Sequence, residues 1–458
     1  MITKDCRIGI WGFGVVGKSV INHLYASGYE KICILDKRIP TTQEYEFLKQ
    51  KNILWYNQEK EEELFFNSCE IIIPSPGVNI NAICYATHQR KWRAELDLFY
   101  DNFKKPIIAV TGSIGKTSVV HILGELLKNV SIPVATGGNI GTPMFDLFAT
   151  QNSVDYALLE VSSFQLLHCI QFTPHLAIIT NFHSNHLDYH ATQEEYFSAK
   201  FNILRLQKDN TLSLMPFALR KIAPTIARNH LRAYFTSVKP SLVELEQLNA
   251  NEQVFYLENN SVMRYAQKTS VFIMVLTPDL LNFSFLDNIL LLVSVCDLMR
   301  FNAAILQTIA TTFTLPEHRM EKIGTFNNVE FYNDSKATTT ASTLAAVEKL
   351  KNCSLHIFIG GLSKGVDRTS FIMQLKNNVK HIYCFGDEAN ALYALCIENT
   401  ISASCHIGLE DAIARCLSMI RSGDCVLFSP SGSSYDLYKN YEERGTHFKK
   451  LLADYIQK

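Results

Sequence analysis

The sequence predicts an α/β protein of three domains built around parallel sheets, and three observations carry that reading. The chain has 458 residues, too many for one core at about 150 residues per domain. Short apolar runs alternate with helical stretches, the pattern of βαβ units. Two glycine-rich turns each join an apolar run to a helix. With 47% hydrophobic and 19% charged residues, the composition excludes a mainly disordered chain. Lys plus Arg (43) nearly balances Asp plus Glu (44), so no global field draws nucleic acid or an anionic membrane. Any anionic ligand has to be held by a local site.

The first domain, residues 1–103, runs through RIGIW, a glycine turn, the helical KSVINHLYASG, then KICILD and EIIIPSPG. The polar DNFKKP, at Lys104, Lys105 and Pro106, interrupts the pattern and marks a boundary. The second domain, 104–314, opens on the strand IIAVT and its glycine turn, and continues through YALLEVSS, LAIITNF and the helix-like QEEYFSAKFNILRL. From about 205 to 310 no organisation is legible. Within that stretch DNILLLVSVCDLM, broken by Asp287 and Asp297, reads as a buried helix and not a membrane span. The third domain, 315–458, starts near TLPEHRMEKIG and carries the strands VEFYND, LHIFIGG, HIYCFG and CVLFSP. No tandem repeat appears. The 12 cysteines are scattered without a C-x-x-C pair and read as reduced, mostly buried thiols. The N-terminus shows no secretory signal pattern, so a soluble cytoplasmic protein is expected.

The first turn, GFGVVG (Gly12–Gly17), follows a strand and opens a helix, and the next strand ends in Asp36. That is the context of a dinucleotide fingerprint, in which glycines admit phosphate to the helix N-terminus. Asp36 can accept hydrogen bonds from a sugar or base edge, and Arg38 suits a further negative group or a base carbonyl. A tight turn that merely needs glycine, and a solvated arginine, remain open alternatives.

The second turn, AVTGSIGKTS (Ala109–Ser118), combines a strand, a glycine loop, Lys116, Thr117 and an immediate helix. Backbone N–H groups in such a loop cradle phosphate, the lysine meets the β/γ oxygens and the threonine hydroxyl can ligate Mg²⁺. ATP is the natural occupant. Strict P-loop spacing puts a glycine where this chain has Val110, so the loop is a variant. Glu160 closes the strand of LLEVSSFQL, where a carboxylate can ligate Mg²⁺ or simply be solvated. His186 and Asp188 follow another strand, in NHLDYH; a lone histidine is more often a packing or surface residue, while the strand end before it favours a site. By composition Lys200 is an ordinary surface lysine.

TGSIGKT together with GGNIGTP, LLEVSSFQL, NHLDYH, NDSKATT, GGLSKGVD and SPSGSSYDLYKNYEERG, in that order, resembles the Mur ligase superfamily, and within it the branch that adds D-glutamate. The resemblance implies a Rossmann-like first domain for a UDP-sugar, a central P-loop ATPase-like domain, and a Rossmann-like third domain for the amino acid. It implies ATP contacts at Gly112, Ser113, Gly115, Lys116, Thr117, Ser118, Arg319 and Asp334. UDP-sugar contacts are implied at Gly14, Val15, Asp36, Arg38, Ser75, Gly77, Asn139, Ser162 and Gln165. Amino-acid contacts are implied at Thr338, Lys364, Ser434 and Tyr441. Two Mg²⁺ ions are expected on Thr117, Glu160 and His186, and a CO₂-derived carbamate on Lys200. Lys336 and Lys364 join Lys116, Glu160, His186 and Lys200 as catalytic candidates.

The implied reaction is ATP-dependent amide formation between UDP-N-acetylmuramoyl-L-alanine and D-glutamate through an acyl-phosphate, in peptidoglycan precursor synthesis, by a monomer with small-molecule partners. Closure of the third domain is expected to assemble the site and exclude water. Four positions depart from the family pattern: Ile114, Asn185, Tyr189 and Thr339. Two other readings stand beside the ligase. A nicotinamide-dependent dehydrogenase suits GFGVVG and Asp36 but leaves the second loop, Glu160 and NDSKAT without a task. A non-catalytic nucleotide-binding relative is kept open by Ile114.

Overall fold

The computed structural model describes residues 3–78, 80, 83–187, 189–224, 230–363 and 365–456, so the candidates Asp188 and Lys364 lie outside the described residues. The chain divides into two compact units, Met1–Asn181 with Glu194–Thr311, and Phe182–Gln193 with Thr312–Lys458.

The first unit holds two sheets. Strands β1 (Ile8–Trp11), β2 (Ile32–Asp36), β3 (Leu54–Asn57) and β4 (Ile71–Pro74) form a parallel sheet in the order β3-β2-β1-β4. Helices cover such sheets on both faces, which is why β1 and β2 read as unbroken apolar runs. β3 escaped sequence reading because it is an edge strand with an exposed Leu54 and three half-buried residues. β1 goes on to β2 and β3 on one side while β4 returns on the other, so the turns after β1 and β4 meet at a topological switch point.

The second sheet has nine strands: β5 (Ile107–Thr111), β6 (Val134–Gly138), β7 (Tyr156–Glu160), β8 (Leu176–Ile179), β9 (Leu212–Pro216), β10 (Leu231–Thr236), β11 (Glu252–Glu258), β12 (Ser261–Ala266) and β13 (Thr269–Val275). Their order is β13-β12-β11-β10-β9-β8-β5-β7-β6, parallel except for the antiparallel run β11-β12-β13. The stretch that the sequence left unresolved is therefore β9 to β13 and the helix Leu286–Leu298, in which residues 288–296 are all buried. Asp297 at its end pairs with Arg264 of β12 at 2.6 Å, so the charge that broke the apolar run anchors the helix to the sheet.

The two sheets of this unit are tied by the helix Glu95–Asn102. Its Asp97 carboxylate accepts the N–H groups of Ile170, Gln171 and Phe172 at 2.7–2.9 Å. Ser19 donates to Asp146 at 2.6 Å, and His23 stacks on Phe148 with centroids 4.0 Å apart.

In the second unit β14 (Glu321–Phe326), β15 (Val329–Asn333), β16 (Ser354–Gly360), β17 (His381–Phe385), β18 (Ala403–His406) and β19 (Asp424–Phe428) form a sheet in the order β14-β15-β19-β16-β17-β18. All pairs but β14–β15 are parallel. The switch point lies between β16 and β19. The described cysteines are free thiols and most are buried. Among the described residues no helix is long and apolar enough to cross a membrane.

Candidate active site

The first switch point brings together the turns that the sequence marked. Gly17 packs its helix against the turn: a Cβ there would lie 2.1 Å from the Gly12 carbonyl oxygen. Ser75 Oγ donates to that same oxygen at 3.1 Å, joining the β4 turn that carries Gly77 to the β1 turn that carries Gly14 and Val15. Asp36 accepts from Phe13 N at 2.6 Å and from Arg38 N at 2.9 Å, so its carboxylate shapes the glycine turn. Arg38 is no freely solvated arginine. It pairs with Glu44 at 2.6 Å and donates to the Phe13 carbonyl at 3.0 Å, and with Lys18 it holds the Glu44 carboxyl far below the usual range.

The second turn, Gly112–Gly115, leaves the buried strand β5 and opens the helix Lys116–Asn129. Gly112 and Gly115 have φ of 142° and 82°, backbone that L side chains rarely adopt. Residues at the end of β8 hold the loop: Thr180 Oγ1 donates to the Ile114 carbonyl at 2.6 Å, and Asn181 Oδ1 accepts from Ile114 N at 3.0 Å. Ile114 is thus fixed through its backbone, and the departure from the family's usual residue leaves these bonds intact. Tyr196 OH donates to Ser113 Oγ at 3.1 Å. Thr180, Asn181 and Tyr196 were missed by sequence reasoning, although a Thr-Asn pair directly after the apolar strand LAII was a signal for the first two.

Beside this loop Thr117 Oγ1 donates to Glu160 Oε2 at 2.6 Å, and Asn139 Nδ2 donates to Glu160 Oε1 at 3.1 Å. Ser118 lies buried on the same first turn. A buried carboxylate and a hydroxyl are hard oxygen donors at a phosphate loop, a donor set that fits Mg²⁺. Ser162 and Gln165 form a capping box at the next helix start: Gln165 Oε1 accepts from Ser162 N at 3.0 Å.

Lys200 is no surface lysine. It is 2% exposed, its Nζ donates to the Gly112 carbonyl at 2.8 Å, and Lys116 Nζ donates to the same oxygen at 2.9 Å. Burial and the Lys116 charge drive the Lys200 amine well below the usual lysine range, with Glu160 opposing.

His186 belongs to the second unit, in the segment Phe182–Gln193, with φ of 57° and its N–H donating to Asn185 Oδ1 at 3.0 Å. The carbonyl of His186 accepts from Tyr189 N at 3.1 Å. In the same unit Asp334 is buried and accepts from Ser429 Oγ at 2.9 Å and Met320 N at 3.1 Å. Burial pushes its carboxyl up to about 7, against those bonds and the nearby Arg319 and Lys349 charges. Lys336 Nζ stands 3.6 Å over the Tyr441 ring. Thr339 caps the helix Thr340–Lys349 by accepting from Ser342 N at 3.2 Å, with Thr338 half-buried before it. Ser434 is buried in the turn after β19, its carbonyl accepting from Tyr438 N at 2.9 Å. Glu317, His318 and Glu321 converge as metal ligands do, but Lys449 pairs with both glutamates at 2.8 and 2.9 Å and supplies the cation.

A glycine loop whose Lys-Thr pair opens a helix beside a strand-end carboxylate has the make-up of a P-loop nucleotide site on an α/β frame. The chain matches the Mur ligase middle domain over residues 110–271 and the Mur ligase, glutamate ligase domain over 318–432. It is 32% identical over 398 residues to a UDP-N-acetylmuramoylalanine--D-glutamate ligase of Oleidesulfovibrio alaskensis, covering 85% of this chain and 80% of the relative. A protein of the same name from Lawsonia intracellularis is 30% identical over 98% of this chain and 94% of its own. By these relatives the chain belongs to the Mur ligase family, within the UDP-N-acetylmuramoylalanine--D-glutamate ligases. Solved structures share the fold. A pseudomurein peptide ligase type C from Methanothermus fervidus superposes with a TM-score of 0.57 at 16% identity, over 98% of this chain and all of that one. A MurF ligase from Thermotoga maritima in complex with ADP gives 0.55 at 17%, over 93% and 95%.

Proposed function

We propose that this protein uses ATP to join D-glutamate to UDP-N-acetylmuramoyl-L-alanine, a step of peptidoglycan precursor synthesis in the cytoplasm, and that it works as a monomer. The observation that carries the reading is the phosphate loop with Thr117 bonded to Glu160 at 2.6 Å, in a chain whose relatives bear that ligase name along most of its length. The three sheets then serve UDP-sugar (1–103), ATP (104–314) and amino acid (315–458).

A carboxylate is a poor electrophile until one of its oxygens becomes part of a phosphate. Loop N–H groups of Gly112–Gly115 and Lys116 Nζ hold the triphosphate of ATP, the lysine exchanging its carbonyl partners for phosphate oxygens. The alanyl carboxylate takes the γ-phosphoryl group, the D-glutamate amine attacks the acyl-phosphate, and phosphate leaves as the amide forms. Thr117, Glu160 and His186 would hold Mg²⁺, two ions in all, which offset the charge gathered where carboxylate meets triphosphate. Arg319 and Asp334 take the phosphate and ribose of ATP. Gly14, Val15, Asp36, Arg38, Ser75, Gly77, Asn139, Ser162 and Gln165 take the UDP-sugar. Lys336, Thr338, Lys364, Ser434 and Tyr441 take the amino acid. Lys200, whose buried amine is driven well below the usual lysine range by burial and the Lys116 charge, carries a carbamate formed with CO₂.

Purified protein with ATP and Mg²⁺ is expected to release phosphate only when both UDP-N-acetylmuramoyl-L-alanine and D-glutamate are present. Phosphate release indifferent to D-glutamate defeats the reading.

A further inference from the structure

The mouth of the first glycine turn carries a carboxylate that the roles above leave without a task. Glu44 lies on the first turn of the helix Thr42–Gln50, and its side chain is 13% exposed. Its Oε2 accepts from Arg38 Nη1 at 2.6 Å and from Thr41 N at 2.9 Å. Its Oε1 accepts from Arg38 Nη2 at 2.8 Å and from Lys18 Nζ at 2.6 Å. Lys18 belongs to the helix Val15–Ala26 that the glycine turn opens, and Arg38 to the segment after β2, so one carboxylate gathers three elements.

The helix start by itself asks for less. A capping box needs one oxygen for the Thr41 N–H while Thr41 Oγ1 accepts from Glu44 N at 3.3 Å, and glutamine fills that place as well as glutamate. The second oxygen and the charge of Glu44 are spent on two cations from outside its own helix. An exposed ion pair between flexible side chains holds little, but a planar guanidinium gripped by both oxygens of one carboxylate has its direction fixed.

That direction matters at the turn. Arg38 Nη2 also donates to the Phe13 carbonyl at 3.0 Å, and Asp36 Oδ2 accepts from Phe13 N at 2.6 Å, so the Phe13 backbone is held at both ends. The Phe13 ring is 1% exposed and edge-on to Trp55 at 5.5 Å, with Lys18 Nζ 5.2 Å and the Arg38 guanidinium carbon 5.8 Å from its centroid. A trans peptide points its N–H away from its carbonyl, so a Phe13 carbonyl turned to Arg38 sends Gly14 N–H to the opposite side. A Cβ at Gly14 would meet nothing within 4 Å, and neither would one at Gly77 in the β4 turn, so both turns border open space. Glu44 and Asp36 balance Lys18 and Arg38, and the cluster calls for no counter-ion. What it sets is where donors point: Arg38 Nε and the second Nη1 hydrogen have no protein acceptor among the described residues.

We propose that Glu44 is a positioning residue for the nucleotide end of the UDP-sugar: by gripping Arg38 it holds that guanidinium and the Phe13–Gly14 peptide in the geometry that binds the nucleotide, with Lys18 as a brace. This role rests on the ligase reading, which places the UDP-sugar at Gly14, Asp36 and Arg38, and it adds a residue that touches no ligand and acts through Arg38. In the sequence Glu44 is one of two glutamates in TTQEYEFLKQ, and nothing local sets it apart.

The test measures kcat, the KM of each substrate and calorimetric binding of UDP-N-acetylmuramoyl-L-alanine in the wild-type protein, Glu44→Gln, Glu44→Asp, Arg38→Met and the double variant of Glu44→Gln with Arg38→Met. Glu44→Gln keeps the cap and should weaken UDP-sugar binding and raise its KM by about 10-fold, with kcat, the KM values of ATP and D-glutamate and the melting temperature unchanged. Arg38→Met should weaken UDP-sugar binding at least as much, and adding Glu44→Gln to it should change nothing further. Glu44→Asp, which keeps the charge, should recover part of the loss. A folded Glu44→Gln protein with wild-type affinity for the UDP-sugar overturns the proposal. So do effects that simply add in the double variant, because Glu44 would then not act through Arg38. A parallel rise of all three KM values with a lowered melting temperature also overturns it, as the mark of a purely structural glutamate. If Glu44→Gln does not fold, Glu44→Asp decides: weaker binding of the UDP-sugar alone supports the role, and unchanged binding ends it. A wild-type protein that binds no UDP-sugar defeats the ligase reading instead, and is seen before any variant is made.

Discussion

At Gly112 two lysine amines, Lys116 Nζ and Lys200 Nζ, converge on one carbonyl oxygen at 2.9 and 2.8 Å. Such crowding inside the protein is what makes a lysine give up its proton. Lys200→Ala is expected to lower turnover by about 10²- to 10³-fold, the scale of losing one electrostatic group at a reacting centre, with partial recovery on adding a short carboxylic acid. Full activity without the acid would show that no carbamate is used. Glu95 is a second buried group at the edge of the site. Its Oε2 has no hydrogen-bond partner among the described residues, and burial pushes its carboxyl up to about 7 despite a hydrogen bond with Gln165. The native state therefore holds a proton that the unfolded chain has released, and stability falls as pH rises from about 4.5 to 7. The expected loss is about 3 kcal/mol, and Glu95→Gln should flatten that part of the pH–melting curve. Equal slopes in the two proteins would contradict it. Thr117 and Glu160 were legible in the sequence because each ends or begins an element inside a motif. The buried state of Lys200 was not, because nothing local marks a helix face that packs on a glycine loop 88 residues away.

Among the elements, the glycine turns and most parallel strands could be read from the sequence, since strands covered on both faces are continuous apolar runs. The extension β9 to β13 could not. β13 has four exposed residues at its start, and β11 begins with the charged Glu252. The structure explains that charge. Glu252 is 4% exposed and receives Arg220 Nη2 at 2.7 Å, Tyr234 OH at 2.8 Å and Asn249 N at 2.9 Å, so it locks β10 and β11 to the turns before them. Glu252→Ala is expected to destabilise the protein by about 3 kcal/mol, because it strands a mostly buried guanidinium. A change in denaturation midpoint equivalent to less than about 0.5 kcal/mol would show that water replaces the carboxylate. Thr339 belongs to this scale as well: it departs from the family pattern yet makes a good helix cap.

For the molecule as a whole, near-neutral charge agrees with anionic substrates handled by a few placed cations and not by a basic surface. Each of the three sheets is mainly parallel, and candidate residues gather in turns at the carboxyl ends of its strands, which was legible as motif order even where strands were missed. The division into two compact units was not legible, because the polar DNFKKP reads as a linker while helix Glu95–Asn102 ties the first two sheets together across it. In the proposed reaction the alanyl carboxylate is activated by phosphorylation before the amine attacks. The measurement that tests it most directly follows oxygen: UDP-N-acetylmuramoyl-L-alanine labelled with ¹⁸O in its carboxylate is turned over with ATP and D-glutamate, and the released phosphate is analysed by mass spectrometry. Acyl-phosphate chemistry predicts one ¹⁸O in each phosphate released, and phosphate without label would contradict it.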